Sequence, residues 1–354
     1  MKNKKLHSYL TILLVVQILF VQVISNYPSI IERYYSNGIY LFTSKFLRIL
    51  FGWLPFSFGD LLIVFLLFAF LRFIYRLIRS KFKNIIPKLL QLTGVISLLY
   101  GCFYWFWGFN YFREPLANNL GFEQEKYTTE QLAEVSKNII SRLNTVHLEI
   151  TKNDTLQVEN PYSQKEMYSK ALVGYENLAK QYPQLSYSTK SVKSSLMSLL
   201  QTYNATSGYL NPLTGEAQVN DMIPKTGYPT TICHEMAHQI GFAAENEANF
   251  VGYLAAVSHD DVYFKYAAYR MAFSYLYSEL RKHDKDIFNE VVKTLNKGVF
   301  KDFRSSSAFW DQYQNPIEPF VKKGYNSYLK ANKQTKGIQS YNYVVDLIIS
   351  YENR

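Results

Sequence analysis

Three apolar stretches in the first 112 residues restrict this 354-residue chain more than any other feature. They cover about residues 8–25, 60–78 and 88–109, each close to the length a helix needs to cross a bilayer. The backbone of a lipid-exposed span has no water to bond, so in a single segment it closes its own hydrogen bonds as a helix. The first run follows Met1-Lys2-Asn3-Lys4-Lys5 and resembles a signal peptide. No small-x-small cleavage site comes after it, and two more spans do, so it reads as a transmembrane helix. The third ends in an aromatic cluster, Tyr104 to Trp107, of the kind found at membrane interfaces. Lys2, Lys4 and Lys5 flank the first span, and Arg72, Arg76, Arg79, Lys81, Lys83 and Lys88 crowd the link between the second and third. The positive-inside rule puts both groups on the cytoplasmic side. The expectation is a multi-pass protein of the cell membrane, with the lipid bilayer as a partner. The loop of about residues 26–59 and everything after Phe112 then lie outside. That loop contains Phe51 to Asp60 (FGWLPFSFGD), too aromatic for a plain linker and suited to the interface or to covering the outer domain.

Charge supports this division. The net charge is +10, yet residues 1–113 hold 13 Lys and Arg against Glu32 and Asp60, and the remainder is close to neutral. A basic excess confined to the membrane-proximal part gives no reason to expect nucleic-acid binding. The spans hold no acid or His apart from flanking charges, which argues against a channel or transporter. Cys102 and Cys233 are too few and too far apart for a disulfide framework.

From Thr128 the chain reads as a water-soluble domain. Thr128 to Gln131 and Ser163 to Glu166 are capping boxes, opening helices that extend to about Leu148 and Tyr182. Ser207 to Asn220 reads as strand, turn, strand, with turn chemistry at Asn211-Pro212 and Thr214-Gly215. Glu216 to Asn220 alternates polar and apolar, as a half-buried edge strand does. Such a strand could hold an extended peptide by strand addition. The rest is helical, at about 261–283, 285–297, 306–313, 316–332 and 338–351. Tyr266, Tyr269, Tyr275 and Tyr277 fall on the first of these, and a Tyr could stabilise an oxyanion, although most should be packing residues.

The chemistry gathers at His234-Glu235-Met236-Ala237-His238, an HExxH sequence. Residues four apart lie above one another on a helix, so His234 and His238 present two imidazoles to one point. That suits Zn²⁺, with Glu235 as general base toward a metal-bound water. Gly241 is placed to end the helix in a left-handed residue, after which a second helix can begin near Phe242. Catalytic zinc takes three protein ligands. The third is expected to be Glu245 rather than Glu247, because it stands four residues past Gly241 with Asn249 one turn further on. Against this, Glu247 falls inside the apolar stripe of Ala244, Ala248, Val251 and Ala255. The expected site is therefore His234, His238 and Glu245 on the metal, with Glu235 catalytic.

HExxH followed by Glu245-x-x-Ala248-Asn249 resembles the gluzincin pattern, in which a downstream Glu completes the zinc site. The residue four beyond it there bonds a zinc-bound His, a part that falls here to Asn249. The short Gly-turned link to Glu245 is closer to metzincin spacing. Over most of its length the chain resembles an uncharacterised bacterial membrane family, domain of unknown function 3810, placed among zincin-like proteins. The resemblance rests on three N-terminal spans, LPFSFGD, the hairpin GYLNPLTGE and HEMAHQIGFAAENEANF. It implies a mainly α protein: a three-helix membrane domain (1–112) and an extracytoplasmic zincin-like α+β domain (113–354) with a small sheet and a helical C-terminal part. The implied function is a membrane-anchored zinc metallopeptidase acting on a peptide or protein substrate. The alternative is a zinc-stabilised binding or sensor module without turnover.

Overall fold

The computed structural model describes residues 2–124 and 126–354; Met1, Glu125 and the side chains of Lys2, Asn3 and Lys4 lie outside that description. Four long helices open the chain: α1 (Lys2–Ile24), α2 (Tyr40–Gly52), α3 (Phe58–Arg79) and α4 (Ile85–Phe106). Helices α1, α3 and α4 are the three expected runs, long and apolar enough to cross a membrane, with little of their surface buried in the protein. Helices α1 and α4 lie side by side. Thr11 Oγ1 is 2.7 Å from Thr93 Oγ1, and Ser97 Oγ donates to Gln17 Oε1 at 3.2 Å. Helix α3 makes no comparable contact with either among the described residues. Between α1 and α2 the backbone winds as a π-helix over Ile31–Ile39, burying Glu32, Tyr35 and Ser36 against the end of α4 and the turn after it.

The second part of the chain contains α5 (Thr129–Thr151) and α6 (Gln164–Gln181), each opened by the expected capping box. Next come β1 (Val192–Ser194), a short helix α7 (Ser198–Tyr203), β2 (Gly208–Asn211) and β3 (Glu216–Val219). The strand order is β1-β3-β2, with β1 parallel and β2 antiparallel to β3. The strand expected at the edge is thus the central one, and every residue of it is buried.

The reason lies in the loop before α3. The Glu216 carboxylate accepts from the backbone N–H groups of Phe58 (3.2 Å) and Gly59 (2.6 Å), two of the unpaired donors that open any helix. Lys193 Nζ, 2.5 Å from Glu216, also donates to the carbonyls of Phe51 and Phe56. Gln218 meets Ser57 Oγ at 2.9 Å. The polar face that reads as solvent-facing is covered by the loop FGWLPFSFGD. No periodicity argument sees a cover so distant in sequence.

The site-bearing helices come next: α8 (Tyr228–Gln239), α9 (Glu245–Val257) and α10 (Val262–His283). They pack with α5 and α6 round a core that fully buries Leu132, Ile139, Tyr175, Ile232, Phe250 and Phe264. Helix α9 starts at Glu245, three residues later than expected, because Phe242 to Ala244 are spent on the turn. The chain ends with α11 (Lys285–Lys293), α12 (Lys297–Asp311), α13 (Glu318–Ala331), a 3₁₀ wind (Gly337–Tyr343) and α14 (Val344–Glu352). Helix α12 begins nine residues before its expected start. Its first turn is fixed from a distance, with Gly298 N donating to Asp154 O at 2.7 Å.

Candidate metal centre

Helix α8 opens with Pro229 in its first turn and stops at Gly241, whose φ of +96° is the left-handed residue expected there. The last carbonyls of a helix have no partner within it. Here they are met by side chains from the first 113 residues. Tyr40 and Ser44 of α2 donate to Gln239 O at 3.0 and 2.7 Å, and Trp107 Nε1, just past α4, donates to His238 O at 3.1 Å. Arg113 pairs with Glu32 at 2.7 Å, donates to Gly241 O at 3.0 Å and stacks over Phe242. The end of α8 that carries His238 is therefore built by residues on both sides of position 112.

On that helix His234 and His238 stand as the spacing requires, ring centroids 4.6 Å apart and nearly perpendicular. His238 Nδ1 lies 2.7 Å from Phe242 O. A carbonyl only accepts, so Nδ1 carries the proton of the neutral ring and Nε2 keeps its lone pair. Glu245, at the first position of α9, returns to the same point: its Oε2 is 3.3 Å from His234 Nε2 and 3.5 Å from His238 Nε2. No hydrogen bond closes on that buried Oε2.

Ligand atoms on a tetrahedral zinc at about 2.0–2.1 Å stand about 3.3 Å from one another. Two imidazole nitrogens and a carboxylate at this spacing fit that ion, and the donor set is one zinc accepts. Burial alone would lower the His238 pKa, but the Glu245 carboxylate outweighs it and raises it to about 9. Burial likewise acts to raise the Glu245 carboxyl, yet the two imidazoles hold it well below the usual range. Proton and metal compete for the same lone pairs.

Glu235 also sits here, buried, grouped with the two His and without a partner on Oε2. Burial raises its carboxyl above the ordinary value, against the pull of the two His. Of the two hairpin strands, β2 is the one that reaches Glu235. A Cβ on Gly208 would stand 2.7 Å from Glu235 Oε1, so the strand passes directly over that carboxyl.

Glu247 points elsewhere: its Oε1 accepts from Leu116 N at 2.7 Å. The stripe argument fails because Glu245 is the more deeply buried of the two. Asn249 does not bond a His; its Nδ2 donates to Tyr275 OH at 3.1 Å, and Phe242 O takes the part foreseen for it.

A cavity of about 800 Å³ opens beside these groups. Tyr325, on α13, donates to Glu245 Oε1, and Tyr111, Tyr328 and Tyr341 line the same wall. Of the four Tyr singled out on α10, only Tyr275 lines the cavity; Tyr266 bonds Asp302, while Tyr269 and Tyr277 lie against the core. Tyr325, Tyr328 and Tyr341 gave no signal in sequence, being three of 30 Tyr with no motif around them.

The two His of one helix, the Glu235 carboxyl beside them and the Glu245 carboxylate of the next helix thus stand together on one wall of the cavity. The chain belongs to the family described as protein of unknown function (DUF3810), which matches residues 35–349. A search of curated proteins returns no match, and neither does a search of solved structures.

Proposed function

We propose that this protein is a zinc-dependent peptidase of the cell membrane, with its site on the extracytoplasmic side. The observation that carries the reading is the convergence of His234 Nε2, His238 Nε2 and Glu245 Oε2 beside a buried, unpartnered Glu235. A zinc ion held by those three residues would polarise a scissile carbonyl and make water a better nucleophile at neutral pH. Glu235, its carboxyl raised by burial, takes the proton from the attacking water and passes it to the leaving amine. Burial first, and Glu245 next, push Tyr275 up to about 12, so its hydroxyl stays protonated and can donate to an oxygen in the cavity. Among the described residues strand β2 pairs with β3 on one side only, leaving its other edge for an extended peptide.

The test uses purified full-length protein and a broad peptide library, with and without a chelator. Glu235→Gln is expected to reduce cleavage by about 10²–10⁴-fold while zinc stays bound. Zinc loss in Glu235→Gln equal to that in His234→Ala would contradict the roles.

A further inference from the structure

The cavity has a rim that the hydrolytic reading does not use. Helix α7 and the approach to it expose Leu196, Leu199 and Leu200, the last with 60% of its surface free. Across the opening, Ile317 and Phe320 at the start of α13 are 66% and 76% exposed. Gln201 and Asn204 from one side, Val321 and Lys322 from the other, line the cavity between these two patches.

Both patches are tied to the ends of the apolar helices. Asp60, in the first turn of α3, accepts from Leu196 N at 2.7 Å and Ser195 Oγ at 2.9 Å. The far end of α13 is fixed at the other two apolar helices. Lys333 Nζ donates to Ser25 O at 2.8 Å, just past α1, and Tyr104 OH of α4 donates to Asn332 Oδ1 at 3.0 Å. The two patches join where Asn315 Nδ2 donates to Tyr203 O at 2.6 Å and the Tyr203 and Tyr313 rings meet. Helix α13, about 21 Å long at 1.5 Å per residue, therefore runs from the α1–α4 pair toward the separate α3. A segment so held is fixed at the ends of all three apolar helices. Only Leu329 of α13 is buried. Its Phe320 and Val321 stand beside Lys322 and Lys323, the mixture of apolar and basic side chains that interfacial helices carry.

We propose that α7 and α13 are seated in the outer leaflet of the bilayer that α1, α3 and α4 cross, so that the cavity opens at the membrane surface between α3 and the α1–α4 pair. Lys323 then meets anionic headgroups, while Lys322, paired with Glu318, stands at the mouth of the cavity, and the cavity receives chains presented close to the lipid. One face of α13 holds Tyr325 on Glu245 while the helix rests on the bilayer. The proposal concerns the surface alone and does not depend on hydrolysis.

The test is nitroxide accessibility in the full chain, reconstituted in vesicles of equal parts phosphatidylcholine and phosphatidylglycerol. Labels are placed at Leu200→Cys and Phe320→Cys in a Cys102→Ser background, with Lys137→Cys on the exposed face of α5 as the water-facing reference. Oxygen, enriched in lipid, is expected to relax the labels at 200 and 320 several-fold more strongly, relative to a water-soluble nickel chelate, than the label at 137. Labels at 200 and 320 indistinguishable from the one at 137 would overturn the proposal. All three labelled positions are exposed, so substitution there leaves the core intact, and a second probe keeps the question open to refutation. The decisive second probe is Phe320→Trp against bromine-labelled lipid, compared with the native chain. Quenching greater than that of the native chain, whose Trp53, Trp105, Trp107 and Trp310 are common to both proteins, is expected, and no added quenching would overturn the proposal as well.

Discussion

Glu245 and Glu247 stand two residues apart and do opposite things, which is the clearest lesson at the scale of single residues. The side chains of residues two apart on a helix diverge by about 200°, so only one could reach the two His. Glu245 does, while Glu247 spends its carboxyl on Leu116 N. Burial raises the Glu247 pKa from 4.5 to about 7, against the Leu116 N–H and the Arg113 charge. Between those values the folded chain holds a proton that the unfolded chain has lost, so stability falls as pH rises through that window and the full cost is present above it. Glu247→Gln keeps an acceptor for Leu116 and removes the charge. It is expected to raise the melting temperature over the native chain at pH 8 and to change it little at pH 4.5; an equal gain at both would contradict the burial argument. The HExxH spacing was legible because it is local. The hydroxyls round Glu245 were not, because Tyr325 reaches it from 80 residues away.

At the scale of elements, the site is set by how closely α9 crosses α8. A Cβ on Gly252 would stand 2.9 Å from His234 N and 3.1 Å from its Cα, backbone atoms that cannot step aside. Gly252→Ala is therefore expected to cost about 1–3 kcal/mol by overpacking and to weaken zinc binding, since Glu245 lies on the helix that must move. Chemical denaturation with a parallel zinc titration checks both, and an unchanged titration would show that the crossing does not place Glu245. Capping boxes and apolar helices were readable because their signals repeat every three or four residues. The central position of β3 was not, since Glu216 and Gln218 owe their burial to residues 51–59, more than 150 positions away.

For the whole molecule, the apolar helices and the rest of the chain are not separable by their contacts. Tyr40, Ser44 and Trp107 supply the bonds that finish α8, and Arg113 ties Glu32 to the turn at Gly241. The family match also begins at residue 35, inside the loop between the first two apolar helices. Residues 113–354 expressed alone are expected to retain no zinc and to lack the near-ultraviolet circular dichroism of a fixed core; a folded, zinc-binding fragment would show these contacts to be dispensable. The central claim is the metal centre itself, and the most direct measurement is the metal content of purified full-length protein and its variants. The account predicts one zinc per chain, lost in His234→Ala, His238→Ala and Glu245→Ala and kept in Glu235→Gln and Glu247→Ala. A chain that purifies folded without zinc and takes none up, or one that loses it with Glu247→Ala and keeps it with Glu245→Ala, would contradict it.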